Sequence, residues 1–330
     1  MRGSGTRTGL MLAMAGVMAV TGTGMVMAQD EGTEIAYLSA SSANTWLGQS
    51  KAAMDEIAAE HGITLTEFDG QFDPALQTTQ LQDVIAADRY DGIIVSAIDG
   101  AGLIPDLQAA AEAGLKIVAL NQLIGDRFDT ADPQDPSISA SVLAPPLRSG
   151  ERLGRLTLMA CEGKDPCNVV YFYGIKGIPL DVAIKEGFDS VTEGSSVTIV
   201  AEGEGQYLGP DVGLAAMQDI LVSTSDIDVV VGADQPMQGV EIALSDAGML
   251  EDIDIIGFGG STPALEAVAD GRWFGDLMGA PATEGRLAMN AMVEALAGND
   301  VGGIDTALEL QDEGLVTADN VADFSAEWDG

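Results

Sequence analysis

One histidine and two cysteines are all that 330 residues contain of the usual soft metal ligands and imidazole bases. A cysteine–histidine metal site, or a nucleophile paired with an imidazole, therefore has no materials beyond His61. Cations are scarce as well: 14 Lys and Arg stand against 52 Asp and Glu, a net charge of −38. Such a chain repels nucleic acid and anionic lipid heads, which excludes both as partners. Gly257-Phe258-Gly259-Gly260 lacks the Gly-x-Gly-x-x-Gly spacing and is followed by no P-loop lysine, so phosphate cradling is not expected. There is no Gly-x-Ser-x-Gly elbow, and in so acidic a chain no single carboxylate pair is informative. We expect no enzyme, no catalytic residue, no cofactor and no metal. Aromatics are 5% of the chain, which leaves the packing to Ala, Val, Ile and Leu, a composition suited to helices laid on aliphatic strands.

What is present is enough for a sizeable core. Hydrophobic residues make up 46% and the mean hydropathy is +0.19, values that argue against disorder. Arg2 and Arg7, the apolar run over residues 10–20 and Val26-Met27-Ala28 have the parts of a secretory signal peptide, with cleavage expected after Ala28. No cysteine follows the run, so no lipid anchor is expected, and no later segment is long and apolar enough to span a bilayer. The mature protein is expected in the periplasm, without membrane insertion and as a monomer. The acids are spread along the whole chain. That pattern suits solubility in a salty medium, a halophilic acidic surface, better than a dedicated cationic-ligand patch. Cys161 and Cys167 flank a Gly- and Pro-containing turn and, in an exported chain, are expected to form a disulfide joining a helix end to the next strand.

Beyond the leader, aliphatic strands alternate with amphipathic helices. Strands are predicted over residues 34–38, 64–68, 92–96 and 116–120, with helices between them that bury Met54, Leu81, Val84 and Leu107. Residues 127–146, rich in Asp, Pro and Ser, read as a connector, which leaves open whether they cover a cleft. The rhythm then restarts with a helix over 148–161 and strands over 168–173, 197–201, 229–231, 253–258 and 274–278. A helix over 282–297 precedes a loose end. Doubly apolar strands in βα repeats mean parallel sheets covered on both faces. Two such runs imply two α/β lobes, with ligand expected beyond the carboxyl ends of the strands and between the lobes.

Several segments carry a family resemblance: Tyr90-Asp91-Gly92-Ile93-Ile94-Val95; Ala113 to Asn121; Lys185-Glu186-Gly187-Phe188; and Ile255 to Gly260. In order and spacing the chain resembles the periplasmic sugar-binding proteins of ABC transporters, the ribose-binding-like group, from about Glu34 to Asn299. The resemblance implies the type I periplasmic binding protein fold: two doubly wound parallel-sheet lobes joined by a three-crossing hinge. The crossings are placed near Ala144, Gly279 and Leu308. That assigns residues 29–143 plus 280–307 to lobe one and residues 144–279 plus 308–330 to lobe two. It implies hinge closure on a sugar or sugar-like polyol and delivery to an ABC transporter permease.

Carried over residue by residue, the family's ligand positions fall on Asn44, Trp46 and Leu47 in the first loop, where Ser41 is also nominated. They continue at Asn121 and Gln122 after the fourth strand, then at Ile175, Tyr207 and Asp234. Three positions depart from the family: its pocket arginine falls on Ile184, its aspartate on Gly259 and its crossing glutamine on Gly279. The two glycines suggest room for a larger or differently shaped ligand. On the residues alone, Trp46 reads as a stacking platform or as interlobe packing, and Asn44 as ligand contact or helix cap. Asn121 and Gln122 read as pocket lining or turn, and Asp234 as ligand contact or cap. An amine or quaternary ammonium ligand, with Trp46 and Asp234 as its partners, is the alternative. A sensor presenting its closed form to a receptor is another. The leader and the acidity disfavour a transcription regulator of this fold.

Overall fold

The computed structural model describes residues 32–330, with Met1 and Gly3. The expected leader, residues 1–28, otherwise lies outside the described residues. From Glu34 the chain forms β1 (Glu34–Ser39), α1 (Thr45–His61), β2 (Thr64–Asp69), α2 (Pro74–Ala87), β3 (Gly92–Val95), α3 (Gly100–Glu112), β4 (Lys116–Leu120) and β5 (Ala140–Leu143). The second run is α4 (Pro146–Ala160), β6 (Cys167–Tyr173), α5 (Pro179–Thr192), β7 (Val197–Glu204), α6 (Pro210–Ser223), β8 (Val229–Val231), α7 (Asp234–Ala247), β9 (Asp254–Gly259), α8 (Thr262–Ala269) and β10 (Gly275–Met278). After it come α9 (Pro281–Leu296), β11 (Gly302–Asp305), two 3₁₀ turns and β12 (Leu315–Thr317).

These strands make two six-stranded sheets, ordered β11-β5-β4-β3-β1-β2 and β12-β10-β9-β8-β6-β7. Every neighbour pair is parallel except β10 with β12. The chain leaves the first sheet after β5, re-enters it with β11 and closes the second sheet with β12. It therefore passes between sheets at Ala144-Pro145, at Gly279-Ala280 and through residues 306–314. In each lobe the inner strands are buried on both faces because successive side chains feed opposite cores, whereas the edge strands β2, β7 and β11 are only partly covered. Ile93 and Val95 join Leu81 and Leu107 on one side of β3, while Ile94 joins Tyr37, Met54 and Met289 on the other.

Three strands were hidden in the sequence. β5 lies inside the polar 127–146 connector and pairs between β4 and β11. Its four residues are all buried, but they are too few to show a period among the surrounding Asp, Pro and Ser. The connector around Phe128 packs on its own small cluster of Leu123, Ala131 and Leu143. The loose end after α9 is likewise ordered: β11 and β12 are each the last strand of a sheet.

Helix pairs in lobe two pack closely through glycine. A Cβ on Gly187 of α5 would collide with the Leu147 carbonyl of α4, and one on Gly150 with the Ile184 carbonyl. Neither obstacle is a flexible side-chain tip. The disulfide Cys161–Cys167 forms, joining the cap of α4 to the first residue of β6. Gly187→Ala is expected to destabilise the native state by about 1–3 kcal/mol through overpacking, measured by urea unfolding. Replacing both cysteines by serine should cost roughly 2 kcal/mol, the closure entropy of so short a loop. An unchanged denaturation midpoint would show that the bridge adds nothing.

Candidate functional site

Between the sheets' carboxyl ends lies a cavity of about 150 Å³. Lobe one contributes the start of α1, the turn after β4 and the N-terminal turns of α9. Lobe two contributes the loops after β6, β7 and β9. This is where ligands of doubly wound sheets sit, because the loops there escape the close packing of the strands.

Asn44 carries out two tasks at the first loop. Its Oδ1 accepts from the Leu47 N–H at 3.0 Å and caps α1, while its Nδ2 donates to the Tyr207 carbonyl across the cleft at 3.2 Å. Tyr207 sits in left-handed backbone and donates its hydroxyl to Asp181 at 2.8 Å. Asp181 also accepts the Gly174 and Ile175 N–H groups, fixing the loop after β6. Burial raises the Asp181 carboxyl above the ordinary aspartate range against those bonds. Asn121, directly after β4, also has positive φ, a conformation asparagine tolerates better than most residues. Its Nδ2 points to Glu284 and its Oδ1 accepts from Gln122 at 3.3 Å.

Trp46 links the two walls. Its Nε1 donates to Glu284 at 3.2 Å. Its ring meets Trp328 edge to face, with centroids 5.4 Å apart. Trp328 comes from the last residues of the chain and donates its Nε1 to the Gly259 carbonyl at 2.8 Å. A side chain on Gly279 would fall inside the Trp46 ring, and one on Gly259 would meet Trp328 and the Asp234 carboxylate. The space opened by the two glycines is thus filled by the protein's own tryptophans, and the expectation of extra room for ligand is corrected.

Of the nominated residues, Asn44, Trp46, Leu47, Asn121, Gln122, Ile175, Tyr207, Gly259 and Gly279 all line the cavity. Ser41 does not; its hydroxyl accepts from the Ala43 N–H within the loop. Asp234 does not either. It is the first residue of α7, fully buried, and points behind the loop after β9 to accept from the Ser261 N–H at 2.7 Å. The wall position belongs to its predecessor, Ala233. A one-residue offset at a helix start separates the cavity from the interior.

Behind that loop Asp234 pairs with Asp276, also fully buried. Asp276 accepts from the Gly260 N–H at 2.9 Å, while Asp234 Oδ1 and Asp276 Oδ2 have no other partner among the described residues. Burial first, and the neighbouring Asp234 charge second, push the Asp276 carboxyl well above the usual range. Two carboxylates buried side by side resist ionising together, an arrangement that favours one proton held between them.

Three wall residues carry no signal in the sequence reading. Glu284 on α9 is 2% exposed and takes hydrogen bonds from Trp46, from Asn121 at 3.1 Å and from Thr306 at 3.1 Å. Desolvation raises its pKa to about 7 against those bonds. Arg152 on α4 is 4% exposed, and its guanidinium donates to the Arg148 and Glu313 carbonyls and to Ser149. Neither forms an ion pair among the described residues. Ser96, at the end of β3, lines the cavity with a buried hydroxyl that has no protein partner among the described residues. Five aromatic residues, Trp46, Phe72, Tyr207, Phe258 and Trp328, line the wall. Donors and acceptors from both lobes and flat apolar faces together suit a small molecule with several hydroxyls. Among the described residues no group of three or more His, Cys, Asp or Glu is placed to hold a metal ion.

A proton held between Asp234 and Asp276 has a consequence for stability. A group whose folded pKa is raised contributes stability at acid pH that is lost as pH climbs from the unfolded aspartate value, about 4, toward the folded one. Asp276→Asn supplies an N–H to Asp234 without a proton from solution. We expect the variant to melt higher than the parent at pH 8 and the gap to shrink or reverse at pH 5. A gap independent of pH would rule out proton sharing.

Residues 35–300 match the Periplasmic binding protein domain family. Among curated proteins, the chain is 24% identical over 187 residues to the ABC transporter periplasmic-binding protein YphF of Escherichia coli, covering 52% of this chain and 50% of that one. It is 21% identical to the ribose import binding protein RbsB of Bacillus subtilis, over 76% of this chain and 77% of that one. A Bacillus halodurans ABC transporter solute binding protein with bound myo-inositol superposes with a TM-score of 0.75 at 24% identity, covering 91% of this chain and all of that one. A Mycobacterium smegmatis solute binding protein with bound glycerol gives 0.75 at 23%, over 91% and 99%. With two parallel α/β lobes and a cavity between their strand ends, the chain belongs to the periplasmic binding protein domain family.

Proposed function

We propose that this protein is an exported solute-binding protein that closes its two lobes on one small polyhydroxylated ligand, a sugar or sugar-like polyol, and presents it to an ABC importer. The observation that carries this reading is the composition of the cavity wall: Trp46, Asn44 and Asn121 from one lobe face Tyr207, Gln235 and Trp328 from the other. Rings stack on the apolar face of a polyol while amides and the free Ser96 hydroxyl satisfy its oxygens. The bound molecules named for the structural relatives, glycerol and myo-inositol, are of that class.

The three passages between sheets would act as the hinge, and the leader ending at Ala28 would export the chain. No helix of the described residues is long and apolar enough to cross a membrane. The acidic surface fits a saline environment. The ligand leaves unaltered, since binding is the whole task. Ligand touching both walls favours the closed arrangement by its differential affinity for it.

A thermal-shift screen of the mature protein in high salt tests the reading. A true ligand at a hundredfold excess over its Kd adds about 2.7 kcal/mol, so sugars or polyols should raise the melting temperature. Silence across hexoses, pentoses and polyols would remove the assignment. Trp46→Ala should weaken the hit at least tenfold. Because Trp46 also packs on Trp328 and Gly279, the empty variant should melt lower as well.

A further inference from the structure

We infer that the ligand carries a protonated amine, an amino sugar or amino-polyol, and that Glu284 is its counter-ion in the cavity. The inference rests on the solute-binding reading above and names the ligand class of that same site.

The starting point is a charge without a partner. Glu284 lines the cavity, is almost wholly buried and has no cation within ion-pair distance among the described residues. Its three hydrogen bonds come from neutral donors on α1, the turn after β4 and the segment after β11. Neutral donors orient a carboxylate but do not cancel its charge, and an uncompensated buried charge is costly. The charged groups around it do not supply the missing cation. Glu327 is a second anion that opposes ionisation, and the nearby Arg286 is drawn to Glu327 and Thr283. Asp305, next to Thr306, faces Arg148.

The second observation is the aromatic surround. The indole of Trp46 bonded to Glu284 presents its ring to the same cavity, set edge-on to Trp328. A carboxylate beside aromatic faces holds an ammonium by charge and by cation–π attraction together. Arg152 sets the opposite pole. Arg152 also lines the cavity, on the lobe-two wall beside Ser149, and its positive charge, although Asp305 and Glu313 lie near it, makes that wall the poorer place for a second cation. An ammonium is therefore directed to Glu284 and the ligand's hydroxyl oxygens to the Arg152 side.

Isothermal titration of matched pairs decides the matter: D-glucosamine against D-glucose, D-galactosamine against D-galactose, and glucamine against sorbitol. At least one amine should bind tenfold or more tightly than its hydroxyl counterpart. For glucamine, whose alkylammonium stays charged across the range, affinity should rise between pH 6 and pH 8 with proton release, because a bound ammonium favours the charged form of a carboxyl that burial pushes up to about 7. The amino sugars, whose own ammonium deprotonates within that range, are compared with their hydroxyl partners at pH 6. Glu284→Gln, checked for an intact melting transition, should lose both the preference and the pH dependence. Equal binding of amine and hydroxyl partners would overturn the inference and leave the polyol reading standing. A preference that survives Glu284→Gln would remove Glu284 from the role. Loss of all sugar and polyol binding to the parent protein would remove the polyol reading itself, and this inference with it.

Discussion

A buried acid held in the cavity wall without a cation is the constraint on which the cleft depends. Glu284 gathers donors from three separated stretches, Trp46 at the start of α1, Asn121 after β4 and Thr306 after β11. Each of those stretches lies at a sheet's carboxyl end or beside a passage between sheets. Substituting any one donor loosens a segment that also lines the cavity. The cost of burying Glu284 is offset only when all three donors are in place, so the shape of the pocket and the comfort of the charge are one property.

The two tryptophans show how the same frame accepts an unusual wall. Where the family resemblance leads one to expect an aspartate and a glutamine, the chain has Gly259 and Gly279, and ring atoms occupy the volume those side chains would have taken. Polar grip from side chains on lobe two is thereby exchanged for aromatic surface. Trp328 reaches the cleft because the chain end is pinned: the Thr262 N–H donates to its carbonyl and its indole donates to Gly259. The polar functions that remain are concentrated on lobe one, in Asn44, Asn121 and Glu284, with Arg152 and Gln235 opposite them.

Much of this was legible in the residues. Apolar strands such as Ile93-Ile94-Val95 announce a doubly covered parallel sheet because both neighbours of each side chain are protein. The loops at strand ends pointed to Asn44, Trp46 and Asn121, which meet at the cavity. What was not legible has common physical causes. β5 is four residues long and carries no period, so only pairing with β4 and β11 defines it. Asp234 and Ala233 differ by one position at a helix start, where a turn of about 100° separates wall from interior. Trp328 sits in a polar tail whose path is set by long-range hydrogen bonds. Glu284 is one acid among 52 Asp and Glu, and nothing local distinguishes a buried one.

The contacts that join the walls are few and individually modest. Asn44 to Tyr207 is one hydrogen bond, Trp46 to Trp328 one aromatic edge, Arg148 of α4 meets Asp305 and the Asp129 carbonyl, and Thr283 and Arg286 meet Glu327 near the chain end. Each is worth on the order of 1 kcal/mol net. On the hinge-closure reading proposed above, lobes joined by so few contacts leave a ligand's differential affinity to set the population of the closed form. Had the walls been zipped by buried ion pairs, ligand would add little to a cleft already shut. The interior of the cleft instead holds Arg152 on one side and Glu284 on the other, neither in a direct ion pair among the described residues. On the same proposed reading, a ligand that meets Glu284 and Arg152 adds to closure an interaction that the direct contacts between the lobes do not supply.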